Sequence, residues 1–209
     1  MIKTKSSIAV VLGAVLFAVN CAYADVGSED VKRSVGSGNP LDGRDKAAVC
    51  KICHGEGGNS VLPNIPKLAG QYADYIQRQI HNFQEGTRRE PNMTNISSTL
   101  TNRRKLADIS AYFASQNLMK GVTGMNDEGE KLYLDKGCLN CHGENGKGKP
   151  YYNTLFPIIG GQHKEYLVKQ MNDFKTGTRD TDISGIMGLL ANQMTDAEIE
   201  AVAVFLSGK

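Results

Sequence analysis

The pattern C-x-x-C-H occurs twice in this chain, as Cys50-Lys51-Ile52-Cys53-His54 and as Cys138-Leu139-Asn140-Cys141-His142, 88 residues apart. A chemical motif repeated at long spacing points to a duplicated folding unit. The likeness runs on past the motif, where Pro66-Lys67-Leu68-Ala69-Gly70-Gln71 answers Pro157-Ile158-Ile159-Gly160-Gly161-Gln162. Tyr75, Gln79, Phe83, Gly86, Thr87 and Arg88 then match Tyr166, Gln170, Phe174, Gly177, Thr178 and Arg179 at a constant offset of 91. Two homologous domains in tandem are therefore expected. With 209 residues in all, each unit falls below about 100 residues. At that size a core buries only about 60% of the unfolded surface, so a disulfide, a metal or a cofactor has to supply the remaining stability.

Periodicity within each unit is helical. Ile76, Ile80 and Phe83 share one helix face, as do Leu167, Met171 and Phe174. Gly86 and Gly177 stand where a C-terminal helix glycine belongs. A closing helix begins near Thr101-Asn102 and near Thr195-Asp196, carrying Leu106, Ile109 and Phe113 in one unit and Ile199, Val202 and Leu206 in the other. Shorter helices over about 44–53 and 127–141 bring the expected number to about three main helices per domain, in an all-α fold.

Lys3 and Lys5 precede an apolar run from Ile8 to Val19 that ends in Ala22-Tyr23-Ala24, the layout of a cleaved secretory signal peptide over 1–24. Export to an oxidising compartment such as the periplasm follows from it. Residues 25–41, rich in Gly and Ser, read as a flexible leader. The remaining divisions are a first domain over 42–118, a linker over 119–126 marked by Gly121 and Gly124, and a second domain over 127–209. Residues 25–118 hold 12 Lys+Arg and 10 Asp+Glu, and residues 119–209 hold 10 and 12. The mature chain is thus neutral but dipolar, with no basic tract suited to nucleic acid.

Two thiols at i and i+3 reach the two vinyl groups of haem, and the residue that follows places its imidazole beneath the iron. Three other chemistries use the same residues: a disulfide, a zinc site built from both motifs, and a thioredoxin-like redox pair. The redox pair needs a βαβ setting, which the helical pattern does not provide, and zinc needs both motifs to converge on one ion. Two copies in exported, matched repeats favour two covalently bound haem c groups, with Cys50, Cys53, Cys138 and Cys141 as attachment points and His54 and His142 as proximal iron ligands.

A filled sixth iron position suits electron transfer, whereas an open one admits small ligands. Met93 is the sole Met between the first motif and its closing helix, and Met187 falls seven residues before Met194 as Met93 falls seven before Leu100. These two are the expected sulfur ligands, with packing methionines as the alternative and Met194 as a core residue. His81 and His163, at unmatched repeat positions, are weaker competitors for iron.

Two C-x-x-C-H domains, the proline-to-glutamine segments, helices ending in G-T-R, a Met loop and the closing helix Asp108-Ile109-Ser110-Ala111-Tyr112-Phe113-Ala114-Ser115 together resemble the cytochrome c4 family. The resemblance spans nearly all of residues 42–209. It implies two tandem class I cytochrome c domains related by a pseudo-twofold axis, and a periplasmic electron carrier that is not an enzyme. It pairs His54 with Met93 and His142 with Met187, and gives the carbonyls of Pro66 and Pro157 the task of accepting the proximal imidazole N–H. It further implies redox-protein partners, a quinol-oxidising cytochrome bc complex upstream and a terminal oxidase or reductase downstream, with loose peripheral association at the membrane. A haem subunit of a periplasmic dehydrogenase and a dihaem peroxidase are the rival readings. Arg88 and Arg179 read either as solvated helix-end cations or as propionate partners at the domain interface. Tyr75 and Tyr166, with Gln79 and Gln170, read as core-edge residues or as interface hydrogen bonders.

Overall fold

A computed structural model of the chain describes residues 36–122, 126–149, 154–182 and 184–209. The signal peptide over 1–24, the leader as far as residue 35, and Gly124 of the linker lie outside the described residues. Among the described residues the regular elements are all helical. The first domain contains α1 (Pro40–Lys46), α2 (Ala48–His54), a 3-10 turn (Glu56–Gly58), α3 (Ala73–Glu85), α4 (Pro91–Ser98) and α5 (Arg103–Ala114). The second contains α6 (Asp127–Asp135), α7 (Leu139–His142), a 3-10 turn (Glu144–Gly146), α8 (Lys164–Lys175), α9 (Ile186–Asn192) and α10 (Asp196–Ser207).

Among the described residues each domain thus shows five α-helices, several of them short, where about three main ones were expected. The stretch before each motif breaks in two, at Ala47 with ψ near 3° and at Lys136 with ψ near 0°. The methionine loops are themselves short helices. Pro91, with its fixed φ and no N–H to lose, opens α4, and the Glu90 side chain caps it by accepting from Met93 N at 2.7 Å. The closing helices start where cap residues predict. Asn102 accepts from Lys105 N in front of α5, and Thr195 forms a capping box with Glu198 in front of α10.

Residues 36–41, read above as leader, belong to the first domain. Asn39 caps α1 through Leu41 N, and its own N–H donates to Asp108 Oδ1 at 2.8 Å. The domain therefore begins several residues earlier than residue 42, because a cap and an N1 proline are helix-start signals that the Gly- and Ser-rich composition obscures.

In each domain the first helix crosses the last at a glycine. A Cβ on Gly43 would stand 1.9 Å from the Asp108 carbonyl oxygen, and one on Gly129 would stand 2.1 Å from that of Ala201. Backbone-to-backbone contact at this crossing requires the hydrogen side chain. Ala47, Ile76, Ile80, Leu100, Leu106, Ile109, Tyr112 and Phe113 form the first core, with Cys50, Leu68 and Met93 at its edge. Tyr133, Leu167, Ala203, Phe205 and Leu206 form the second, with Cys138 and Leu139 at its edge.

The domains are joined by a third cluster, Tyr72, Met119 and Ile158. The start of the linker is pinned within it. Met119 is fully buried and donates its N–H to Ala69 O, and Gly121 N donates to Lys209 O at 2.7 Å. Full burial of the Met119 side chain contributes about 1.5–3 kcal/mol toward keeping the domains together.

Candidate haem sites

Cys50 and Cys53 lie one turn apart on α2, and Cys138 and Cys141 one turn apart at α7, so each pair projects from one helix face. All four are free thiols, which removes the disulfide reading. Burial pushes the Cys50 and Cys138 thiols above their ordinary range. Among the described residues, which include every Cys and His of both motifs, no cluster of three or more His, Cys, Asp or Glu is placed to hold a metal ion. A shared zinc site therefore has no geometry to support it.

His54 and His142 close their helices as buried residues. The Nδ1 of His54 lies 2.8 Å from Pro66 O, and that of His142 lies 2.8 Å from Pro157 O. A carbonyl oxygen only accepts, so each ring donates from Nδ1 and keeps its lone pair on Nε2. Burial pushes both imidazoles below their ordinary pKa, which favours the neutral, ligating form. Two free thiols and a neutral imidazole with an available Nε2, present in each domain, match the donor set of a covalent haem c.

Met93 is half-buried and packs against the edge of the first core, as Cys50 and Leu68 also do. Met187 is half-buried near the start of α9, where its N–H donates to Asp182 Oδ2 at 2.7 Å. In both domains a carboxylate thus accepts the N–H of the candidate methionine, Glu90 as the N-cap of α4 and Asp182 from the loop four residues ahead of α9. Sequence reading passed over both; Glu90, directly before Pro91, carries a recognisable cap signal, whereas Asp182 does not. Met194 and Leu100 are each 4% exposed, a matched pair of core residues. His81 sits on the surface of α3, hydrogen-bonded to Gln84, and His163 pairs through Nε2 with Ser60 O across the domain boundary at 2.9 Å.

Arg88 and Arg179 are 8% and 7% exposed, which overturns their reading as solvated helix-end cations. They lie in the domain interface. Arg88 donates to Gln79 Oε1, Gln170 Oε1 and the Tyr166 hydroxyl at 2.6–2.8 Å. Arg179 donates to Gln170 Oε1, Gln79 Oε1 and the Tyr75 hydroxyl at 2.7–3.1 Å. Each guanidinium also lies over a phenylalanine of its own domain, Phe83 or Phe174. Tyr75, Tyr166, Gln79 and Gln170 are thus interface hydrogen bonders.

A two-domain helical fold with a thiol–thiol–imidazole set in each half defines a cytochrome c, and the cytochrome c family model matches residues 126–208. Cytochrome c4 of Pseudomonas aeruginosa is 39% identical over 182 residues, covering 82% of this chain and 89% of that protein. The crystal structure of reduced recombinant cytochrome c4 from Pseudomonas stutzeri superimposes with a TM-score of 0.74 at 37% identity, covering 82% of this chain and 99% of that one. A thiosulfate dehydrogenase electron acceptor of Stutzerimonas stutzeri is 30% identical over 187 residues, with 82% of both chains covered. The chain belongs to the cytochrome c4 family. It is accordingly an electron-transfer cytochrome with covalently bound haem c.

Proposed function

We propose that this protein carries two haem c groups and passes single electrons between respiratory redox partners in the periplasm, after removal of residues 1–24. In this reading Cys50, Cys53, His54 and Met93 hold one haem, and Cys138, Cys141, His142 and Met187 hold the other. The observation that carries the proposal is the duplication of a buried, Nδ1-tied histidine directly after a free thiol pair. When bound, each haem supplies a one-electron couple.

The chain's own contribution is to fix and to shield. The Pro66 and Pro157 carbonyls orient the two imidazoles. Methionine at the sixth position leaves no opening for a small ligand, which favours a carrier over a peroxidase. Arg88 and Arg179 are buried cations with no carboxylate bonded to either guanidinium among the described residues, an environment suited to haem propionates. Around the first motif Leu41, Val49, Ile52, Val61 and Leu62 are exposed, and such an apolar surface suits docking of another redox protein.

Mass measurement of the exported protein, combined with haem quantification after denaturation, tests the proposal. Two covalent haem additions on a chain beginning after Ala24 support it, and a single addition overturns it.

A second reading is favoured by the likeness to the thiosulfate dehydrogenase electron acceptor: the donor is a dehydrogenase, not a quinol-oxidising cytochrome bc complex. Comparing the rates at which the oxidised protein is reduced by each donor distinguishes them. A faster second-order rate from the dehydrogenase selects this reading.

A further inference from the structure

The repeated proline segments end in Gln71 and Gln162, which lie outside the thiol, imidazole and methionine set of either haem site. Each is 4% exposed and reaches across the domain boundary. Gln162 Oε1 accepts from Lys67 N at 2.9 Å, and Gln162 Nε2 donates to Lys67 O at 2.9 Å. Gln71 treats Ile158 in the same way, accepting from its N–H at 3.0 Å and donating to its carbonyl at 2.8 Å. Lys67 directly follows Pro66, and Ile158 directly follows Pro157.

This placement puts both ends of one peptide group to use. The amide joining Pro66 to Lys67 accepts the His54 Nδ1–H at its oxygen and donates its N–H to Gln162. The amide joining Pro157 to Ile158 accepts from His142 and donates to Gln71. A continuous hydrogen-bonded chain therefore runs from each imidazole, through a single peptide plane, to a side chain of the other domain. An amide whose N–H is engaged carries more negative charge on its oxygen and is the stronger acceptor, because hydrogen bonds in series polarise one another.

We infer that Gln71 and Gln162 are positioning residues that act in trans, each setting the potential of the haem in the opposite domain by polarising the peptide that holds its axial histidine. The inference rests on the proposal that His54 and His142 are iron ligands. A stronger bond at Nδ1 gives the imidazole more anionic character, which favours the ferric state and lowers the potential. Loss of the glutamine therefore raises it. The effect crosses the interface, so it falls on the haem that does not share a domain with the altered residue.

The test uses the holoprotein, with the two haems distinguished by proton resonances of their methyl groups assigned to each domain. Gln162→Leu is expected to raise the midpoint potential of the haem at Cys50 and Cys53, to shift the His54 Nδ1–H resonance upfield in the ferrous protein, and to leave the other haem unchanged. Gln71→Leu is expected to do the reverse. Gln162→Glu keeps an acceptor opposite Lys67 N–H and is expected to hold the wild-type potential or a lower one. Equal shifts of both haems, a shift confined to the variant's own domain, or Leu and Glu variants that behave alike would each overturn the inference. His54→Gly separates failure of this inference from failure of the ligand proposal. Retention of the first haem's six-coordinate spectrum in that variant overturns the ligand proposal. Loss of that spectrum, together with an unmoved potential in Gln162→Leu, overturns the coupling alone.

Discussion

Arg88 and Arg179 meet across the domain boundary as the one isolated antiparallel backbone bridge among the described residues, and their guanidinium groups share the same two glutamine oxygens. Two cations held this close are tolerated because the guanidiniums donate to two amide oxygens, two tyrosine hydroxyls and the Thr181 hydroxyl, lie over two phenyl rings, and have the Asp173 carboxylate near Arg88. The contacts are reciprocal between the two repeats. Arg88→Ala is expected to leave Tyr166 without its charged donor and each glutamine oxygen with Arg179 as its one remaining guanidinium partner. Hydrogen bonds to charged groups contribute roughly 1.5–3 kcal/mol each, so interdomain coupling should weaken by a few kcal/mol. Calorimetry on the holoprotein should show a single unfolding transition splitting into two. An unsplit transition at the wild-type temperature would show that this network does not hold the domains together.

The interface also shows which features were legible in the sequence. The constant offset of 91 placed Tyr75, Gln79 and Arg88 in register with Tyr166, Gln170 and Arg179, because duplication copies spacing directly. Helix ends at Gly86, Asn102 and Thr195 followed from local capping chemistry, which depends on neighbours within four residues. The bonds these polar residues make across the interface were not legible, since those partners lie 78 to 104 residues away in the other repeat. The same distance hid the tasks of Gln71 and Gln162. The division into α1 and α2 at Ala47 was missed for a different reason, because nothing in the local composition there marks a break.

Asp108 gives the first domain a buried carboxylate that the second domain lacks at the matching helix crossing. Its carboxylate is fully buried and accepts from Asn39 N at 2.8 Å and from Lys46 Nζ at 2.6 Å, with Arg104 Nε at 3.2 Å. The Asn39 N–H, then Lys46, hold its pKa below the usual carboxylate range. With the folded value below the unfolded one, the stabilisation is present above the unfolded pKa and is lost as pH falls through the folded value. Ala201 occupies the corresponding place in the second domain, so acid should loosen the first domain before the second. Asp108→Asn should lower stability at neutral pH by about 1–3 kcal/mol and flatten the acid dependence. Thermal unfolding measured from neutral pH down to about pH 3 checks this, and an Asn variant that keeps the wild-type slope would contradict it.

Gly129→Ala is expected to force α6 away from α10, because its Cβ would stand 2.1 Å from a backbone oxygen that cannot rotate aside. Overpacking of this kind destabilises by about 1–3 kcal/mol and occasionally more. The loss should appear in the second domain, as faster amide exchange along α6 and α10 with α1 and α5 unchanged. Exchange that stays at the wild-type rate in all four helices would show that the crossing has slack.

Met187 and Met194 separate by function in the proposed site. Met187→His should keep the second haem six-coordinate while lowering its potential, since imidazole favours ferric iron more than a thioether does. Met194→Leu should disturb packing by less than about 1.5 kcal/mol, as volume-conserving core exchanges do. Loss of a far-red sulfur-to-iron band in Met194→Leu, with retention in Met187→Leu, would reverse the assignment.

The central claim is that both halves of the chain hold a six-coordinate haem and that the protein works by moving single electrons. An optically monitored redox titration of the exported protein tests it most directly. Two one-electron steps are predicted, each accompanied by loss of a far-red methionine-to-iron band on reduction, with no spectral change when carbon monoxide is added to the fully reduced protein. A single one-electron step, or a ferrous haem that binds carbon monoxide, would contradict the account.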